Sequence, residues 1–261
     1  MVSVVIVCTN ERELLRTCLT SIFDAPPRES LEVIVVDNAS TDGSAEMVQE
    51  NFGSCRVITN QARLGFAPNN NIGMRETRGR HVLLINSDAW LRPGGIDRLV
   101  EFMETHPRVG ICGPRILNPD GSLQLSCRKF PTVRSVLMRR IPPVRWLLPE
   151  RILTDHLMED WDHDSERPVD WLLSACLLVR REAIDSVGPM DDAYFLYGED
   201  VDWCWRMWQH GWEVYYVPGA EAFHHYRRLS ARHMISKKTL IHMRSLLHFW
   251  RKNQVPLSRI L

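Results

Sequence analysis

Two runs near the start of the chain, Val2 to Cys8 and Leu31 to Val36, are apolar at nearly every position instead of every second one. Successive side chains of a strand point to opposite faces, so such runs suit strands covered on both sides. That is the condition of a parallel sheet with helices packed on each face. The segments between the runs carry helix signals. Asn10 followed by Glu13 has the spacing of a capping box, and Leu15, Leu19 and Ile22 fall on one helical face before Pro26-Pro27. A short helix is expected at Ala45 to Asn51 and a strand at Arg56 to Thr59. A helix is expected at Asn69 to Thr77, stopped by Gly79, and a fourth strand at His81 to Asn86. The helix from Ile96 to Glu104 turns Leu99, Val100 and Met103 inward and closes at Pro107. This β-α-β-α-β-α-β alternation predicts an α/β fold with a doubly wound, mostly parallel central sheet and helices on both faces.

The pattern changes after Val109. ICGPRILNPDGSLQLSCRKFP reads as a strand and hairpin turning at Asp120-Gly121, and Thr132 to Arg167 shows no clean period. WLLSACLLV then reads as a strand, with helices at Glu182 to Ser186 and Glu199 to His210. A strand at Trp212 to Val217 and a basic amphipathic helix at about Ile235 to Lys252 follow. No Gly/Ser linker divides the chain. One domain over 1–261 is expected, with halves of about 1–115 and about 116–261.

The 261 residues carry 32 Lys+Arg against 32 Asp+Glu, so no global charge argues for a nucleic-acid partner. Seven cysteines without a CxxC pair, several inside apolar runs, read as reduced core thiols and a cytoplasmic chain. The opening MVSVVIVCTN has no basic region and is too short for a signal peptide or a membrane span.

Polar clusters sit where strands stop. LLINSDAWL breaks an apolar run at Asn86-Ser87-Asp88. A carboxylate at the C-terminal end of a parallel strand lies where open α/β sheets place ligands. Asp88 is therefore a candidate for a divalent cation shared with substrate phosphates, its plain alternative being a strand-ending turn. Asp37, directly after the second strand, can accept hydrogen bonds from a ribose or a base edge; an Asx-turn with Asn38 and Asp42 is the simpler reading. In NQARLGFAPNNNIG, Gly65 permits close backbone approach, and three asparagines before a helix offer polar groups to an anion or merely cap it. No Gly-Lys-Ser/Thr and no GxGxxG occurs, which disfavours P-loop and nicotinamide binding. In FLYGEDVDWCWRMWQHG, acids Glu199 and Asp200 open a helix whose Val201, Cys204, Trp205 and Trp208 make an apolar face. The helix dipole alone accounts for acids there, and it also keeps a carboxylate ionised and able to accept a proton. Glu199 and Asp202 read as bystanders or hydrogen-bonding helpers, and the tryptophans as core packing. His224-His225, followed by Tyr226-Arg227-Arg228, suggests a loop facing phosphate or metal, against the commoner structural histidine.

Taken in order, SVVIVCTN, VVDNASTDGS, NxxRLGFAxxxNxG, LLINSDAWL, FLYGEDVDWCWR and HHYRRLS resemble the family 2 glycosyltransferases, nearest their rhamnosyltransferase-like branch, from Val2 to about Ser230. The resemblance implies a GT-A type fold with an elaborated, acceptor-binding second half. It implies inverting transfer of a sugar, rhamnose in that branch, from a nucleotide-diphosphate donor to an acceptor hydroxyl in bacterial cell-surface polysaccharide or glycolipid synthesis. On it, Asp37 contacts the nucleotide base near Thr9, Asn10 and Glu11, and Arg63, Gly65, Phe66 and Asn71 enclose the diphosphate. Asn86-Ser87-Asp88 corresponds to the family's DxD with Asn in the first position, leaving Asp88 to carry a Mg²⁺ or Mn²⁺ ion. Asp200 matches the general base, and His224 or His225 adds a metal or diphosphate contact. Ser174, Ala175 and Cys176 match the acceptor-side motif, with Ser174 where Gly is usual, and Glu199 stands beside them.

The implied partners are a dTDP- or UDP-sugar donor and a glycan or lipid-linked acceptor. A nucleotidyltransferase, or a binding module without turnover, are the alternatives. The first lacks its Gly-rich loop after Val7, and the second is opposed by Asp37, Asp88 and Asp200 occurring together. The basic and apolar stretch Val133 to Leu153 reads either as ordinary surface or as a peripheral contact with an anionic membrane.

Overall fold

The computed structural model describes residues 1–140, 142–194, 198–225 and 237–255. The first half runs β1 (Val2–Cys8), α1 (Arg12–Phe23), β2 (Leu31–Asp37), α2 (Ser44–Asn51), β3 (Arg56–Thr59), α3 (Phe66–Arg75), β4 (His81–Asn86), β5 (Ala89–Leu91) and α4 (Gly95–Thr105). Next come β6 (Val109–Leu117), β7 (Cys127–Arg128), α5 (Val133–Arg140), a 3₁₀ turn (Pro142–Trp146), α6 (Arg151–Leu157) and β8 (Arg167–Pro168). The remainder is β9 (Trp171–Leu172), β10 (Cys176–Arg180), α7 (Arg181–Val187), α8 (Glu199–Gln209), β11 (Glu213–His224) and α9 (Lys237–Lys252).

The main sheet has the order β3-β2-β1-β4-β10-β6-β11-β5, with β8 on β11; β7 and β9 form a separate pair. β3, β2, β1 and β4 are mutually parallel, as the apolar runs predict. β10 enters from the second half, antiparallel to both β4 and β6, so one sheet takes strands from both halves. Alternation along β1 explains its composition. Val2, Val4, Ile6 and Cys8 face one core cluster with Leu15, Leu19, Leu99 and Met103. Val5 faces the other, with Leu84, Trp203 and Tyr216. Burying each such aliphatic side chain contributes roughly 1.5–3 kcal/mol. α3 lies so close to β1 that a Cβ on Gly73 would overlap the Val5 side chain.

Four predicted elements shift, each for a non-local reason. Asn10 is not an N-cap: it takes a left-handed φ of 55°, and α1 starts at Arg12, whose N–H donates to Asp42 Oδ2 at 3.0 Å from the following βα loop. α3 begins at Phe66, so the three asparagines lie inside the helix and are buried. WLLSACLLV is two strands broken at Leu173–Ala175, where the chain crosses from the small sheet to the large one. β11 continues past Val217 through a register shift to His224, which therefore ends a strand and is not in a loop.

The tryptophan-rich face of α8 is core, with Trp203 fully buried and its Nε1–H donated to the Gly188 carbonyl at 2.9 Å. Asp202, also fully buried, accepts from Arg206 Nε at 2.9 Å, Lys252 Nζ at 2.9 Å and Asn253 Nδ2 at 2.8 Å. It fastens the end of α9 to the helix that carries Asp200. Asp202→Ala is expected to cost about 1–3 kcal/mol, since it removes the acceptor shared by Arg206, Lys252 and Asn253, which are part-exposed and can rehydrate. Urea unfolding checks this, and a loss below about 1 kcal/mol would reduce Asp202 to a surface-type ion pair.

All seven cysteines are free thiols. Among the described residues no helix is long and apolar enough to cross a membrane.

Candidate active site

The strand order reverses between β1 and β4, and the crevice beyond their carboxyl ends is the switch point where such sheets bind ligands. Registers Cys8↔Asp37, Val7↔Asn86 and Ile85↔Cys176 bring four strand ends to this edge. Glu11 Oε2 accepts the Ser87 hydroxyl at 2.6 Å, joining the segment after β1 to the turn after β4.

Asp37 is buried at the end of β2. Its Oδ2 accepts the Ser40 N–H at 3.2 Å, the predicted Asx-type turn, while its Oδ1 is buried with no hydrogen-bond partner among the described residues. An orphaned carboxylate oxygen is costly, and a ligand N–H or O–H donated to it relieves that cost. Asn38, expected only as part of an Asx-turn, is the brace of this corner. Its Oδ1 accepts the Leu64 N–H at 2.8 Å and its Nδ2 donates to Thr9 Oγ1 at 3.1 Å. Asn10 Oδ1 accepts the Thr41 N–H at 2.7 Å.

The loop before α3 is held at the rim by Asn38. Arg63 is exposed there and has no ion-pair partner among the described residues, with Phe66 half-buried behind it. Gly65 is extended (φ −71°, ψ 175°), a conformation open to any residue, so no special glycine geometry operates. Asn71 departs from the expected diphosphate contact. It is buried, its Nδ2 donating to the Met190 carbonyl at 2.8 Å and Asp192 Oδ1 at 2.6 Å, and it ties α3 to the approach to α8.

Beyond β4, the Asn86 N–H donates to the Ala175 carbonyl at 3.0 Å, and the Asp88 carbonyl accepts the His225 N–H at 2.9 Å. This β5–β11 pairing sets His224 Nε2 3.3 Å from Asp88 Oδ1. It is His224, not His225, that faces the carboxylate; the His225 ring lies against Trp90, centroids 5.2 Å apart. Gln124 fixes the imidazole. Its Nε2 donates to Asn118 Oδ1 at 2.9 Å and the His224 carbonyl at 3.3 Å, so its Oε1 accepts His224 Nδ1–H at 2.8 Å. In the neutral ring Nε2 then carries a lone pair aimed at an anionic oxygen. Two acceptors so close need a cation or a proton between them, and an imidazole oriented through its other nitrogen is the usual dress of a metal ligand. Among the described residues no third His, Cys, Asp or Glu joins them, so a cation there would complete its shell from phosphate oxygens and water. Residues 226–230, including Tyr226-Arg227-Arg228, lie outside the described residues, as do 195–197 before Gly198.

Asp200 stands on the other wall. Gly198 turns the chain into α8 at φ 97°, where a Cβ would press on the Tyr194 ring at 3.1 Å. The half-buried Asp200 carboxylate accepts N–H groups from Val201 (2.9 Å) and Ser174 and sits near the buried Arg128 guanidinium. Burial is the dominant influence and pushes its pKa up to about 6, with those N–H groups and Arg128 pulling the other way. Arg128, at the end of β7, was not evident from sequence because nothing local marks it. Of the acceptor-side residues, Ser174 is buried with its hydroxyl unbonded among the described residues, and Ala175 supplies its carbonyl to Asn86. Cys176 is a core thiol pushed up to about 12 by burial, which removes it from any acceptor surface. Glu199 is buried beside Asp200.

Comparison with known proteins decides the family. The family described as "Glycosyl transferase family 2" matches residues 3–158. The chain belongs to glycosyltransferase family 2. A second family description, "Glycosyltransferase (GlcNAc)", matches residues 101–260 of this family 2 enzyme. It is 36% identical over 206 residues to N-acetylglucosaminyl-diphospho-decaprenol L-rhamnosyltransferase of Mycobacterium tuberculosis, 75% of this chain. It spans 66% of that relative's length, just under two thirds. It is 23% identical over 272 residues to rhamnosyltransferase WbbL of Escherichia coli, covering 99% of this chain and 96% of the relative. Among solved structures, GalNAc-T7 with UDP, GalNAc and Mn²⁺ superposes with a TM-score of 0.70 at 17% identity, over 97% of this chain and 50% of that one, which shows the shared GT-A type fold. The nucleotidyltransferase alternative is not favoured by any of these likenesses.

Proposed function

We propose that this family 2 enzyme transfers rhamnose, with inversion, from a dTDP- or UDP-linked donor to a hydroxyl of a glycan or lipid-linked acceptor in bacterial cell-surface polysaccharide or glycolipid synthesis. The observation that carries the reading is the Ser174-Ala175 dipeptide: the Ala175 carbonyl holds Asn86 at the metal-side turn, and the Ser174 N–H reaches Asp200. Two consecutive residues thus join the end that suits a diphosphate to the end that suits a base. The rhamnosyltransferase names of the two relatives support the sugar, and the diphospho-decaprenol in one name supports a lipid-linked acceptor.

Asp37 Oδ1 would take an N–H of the nucleotide base, and Thr9, Asn10 and Glu11 would line the same corner. Arg63 and the N–H groups at the start of α3 would meet the diphosphate. Asp88 and His224 would hold Mg²⁺ or Mn²⁺, which when bound supplies charge neutralisation to the departing diphosphate. Asp200 takes the acceptor's hydroxyl proton while that oxygen bonds the anomeric carbon. The carbon–oxygen bond to the diphosphate breaks on the opposite face, through an oxocarbenium-like transition state. The free thiols support a reducing, cytoplasmic setting.

A base held near 6 sets the pH profile. Below that value Asp200 is protonated and cannot accept, so kcat/KM should fall about tenfold per pH unit there and plateau above. The test assays dTDP- and UDP-sugars with each metal toward a polyprenyl-diphosphate-linked sugar, reading product anomeric configuration by NMR. Inversion with that profile is expected. A product that retains the donor's configuration would overturn the mechanism.

A further inference from the structure

The most exposed large apolar side chains among the described residues are neighbours: Trp146 at 89% and Leu147 at 80%. They end the 3₁₀ turn between α5 and α6, and the rest of this excursion is anchored. Val136, Met138 and Leu153 are buried beneath it, Lys129 N–H bonds the His156 carbonyl at 3.0 Å, and Trp250 Nε1–H reaches the Pro131 carbonyl at 3.3 Å. A braced turn that lifts a Trp-Leu pair into solvent is not a packing failure. Single exposed apolar residues are ordinary, but an adjacent Trp and Leu in a basic surround match a bilayer interface, where an indole sits at headgroup depth.

Charge selects the occupant. Val133 to Leu153 contains Arg134, Arg139, Arg140, Arg145 and Arg151 against the single acid Glu150, in a chain whose total charge is zero. Arg134, Arg139 and Arg151 are exposed. The position is equally telling. The excursion leaves the small sheet at Arg128, the cation beside Asp200, and returns to it at Trp171-Leu172, just before Ser174.

We infer that the Trp146-Leu147 tip and its arginines dock the enzyme on an anionic lipid surface, presenting the acceptor side of the site to membrane-borne substrate. The docking stands on exposure and charge; its link to the acceptor rests on the function proposed above. Docking of this kind weakens with salt, because basic residues near the surface act within a Debye length.

The test is flotation of the full chain with phosphatidylglycerol-containing and pure phosphatidylcholine vesicles. Salt-sensitive binding to the former is expected, with Trp146→Ser/Leu147→Ser lowering affinity about tenfold or more and Arg134→Gln/Arg151→Gln lowering it for anionic vesicles only. Far-UV circular dichroism and melting temperature check that the variants fold, as exposed positions should. Unchanged flotation of the Trp146/Leu147 variant, or no binding by the unaltered chain, would overturn docking. So would a variant that changes only self-association in sedimentation, which would make the tip a contact between copies. A parallel assay separates the two readings. The same variant should keep its transfer rate on a water-soluble short-chain acceptor and lose about tenfold on vesicle-embedded acceptor. No transfer by the unaltered chain on either acceptor would count against the proposed function while leaving the flotation result intact.

Discussion

Asp200→Asn should reduce sugar transfer by about a thousandfold or more while leaving donor affinity within about twofold. Asparagine keeps the shape and an Oδ1 that can accept the Val201 and Ser174 N–H groups, so what is lost is the ability to take a proton and the charge facing Arg128. The same substitution should stabilise the protein. Asp200's pKa is raised in the folded state, so the folded protein holds its proton more tightly than the unfolded chain does. Folding is therefore penalised as pH rises from the ordinary value of 3.8 through about 6, and the penalty is complete above that. It corresponds to at most about 3 kcal/mol, less to the extent that water reaches the carboxylate. Urea denaturation of both proteins at about pH 8 and about pH 4 should show a gain for the variant only at the higher pH. Unchanged transfer would remove Asp200 as the base. Equal stability at both pH values would mean its surroundings do not disfavour the charge, and the pH profile of transfer should then lack its break near 6. This is the pairing expected where an active site holds a group against its stability optimum.

What could be read from the sequence divides by range. β1, β2 and β4 are legible because both of their faces are buried, and the composition of six or seven residues reports that directly. Asp37, Asp88 and Asp200 stand out as candidates because they lie at the end of a strand, in the turn after a strand and in the first turn of a helix. The misreadings all involve partners far away in sequence. Asn69, Asn70 and Asn71 look like a polar approach to a helix, yet Asn71 is buried because Met190 and Asp192 satisfy its amide. The break at Ser174 is invisible in WLLSACLLV, since apolar character persists on both sides while the chain changes sheets. Adjacent histidines cannot be told apart by spacing. β11 distinguishes them, because its register on β5 places His224 opposite Ala89 and so beside Asp88. Gln124 reaches His224 across 100 positions, and no local pattern announces it.

Loss of the Asp88 carboxylate should abolish metal-supported donor binding. Asp88→Ala is expected to weaken Mn²⁺ affinity, measured by EPR titration with UDP or dTDP present, by about a hundredfold or more, and to cut transfer by a comparable or larger factor. Gln124 provides the sharper test because it would act on the ion only through His224. Gln124→Leu removes the acceptor of His224 Nδ1–H, so the ring loses both its tautomer and its aim at Asp88 Oδ1. Such orienting partners typically contribute about 10–100-fold in metal affinity. Gln124→Glu keeps an acceptor oxygen at the same reach but loses the N–H groups donated to Asn118 Oδ1 and the His224 carbonyl, so it should restore part of the affinity. Its added charge cannot mimic a new ligand, because the group contacts the far side of the ring. A Gln124→Leu protein that binds Mn²⁺ as tightly as the parent would show that His224 is not a ligand. Asp88 would then hold the ion with phosphate oxygens alone. A Gln124→Leu loss that glutamate fails to restore would instead assign Gln124 to the packing of the Asn118–Ser122 hairpin, whose Asn118 Oδ1 it also engages at 2.9 Å. In the proposed site the imidazole's orientation would carry a measurable share of metal affinity, set by a residue on the opposite side of the ring from the chemistry.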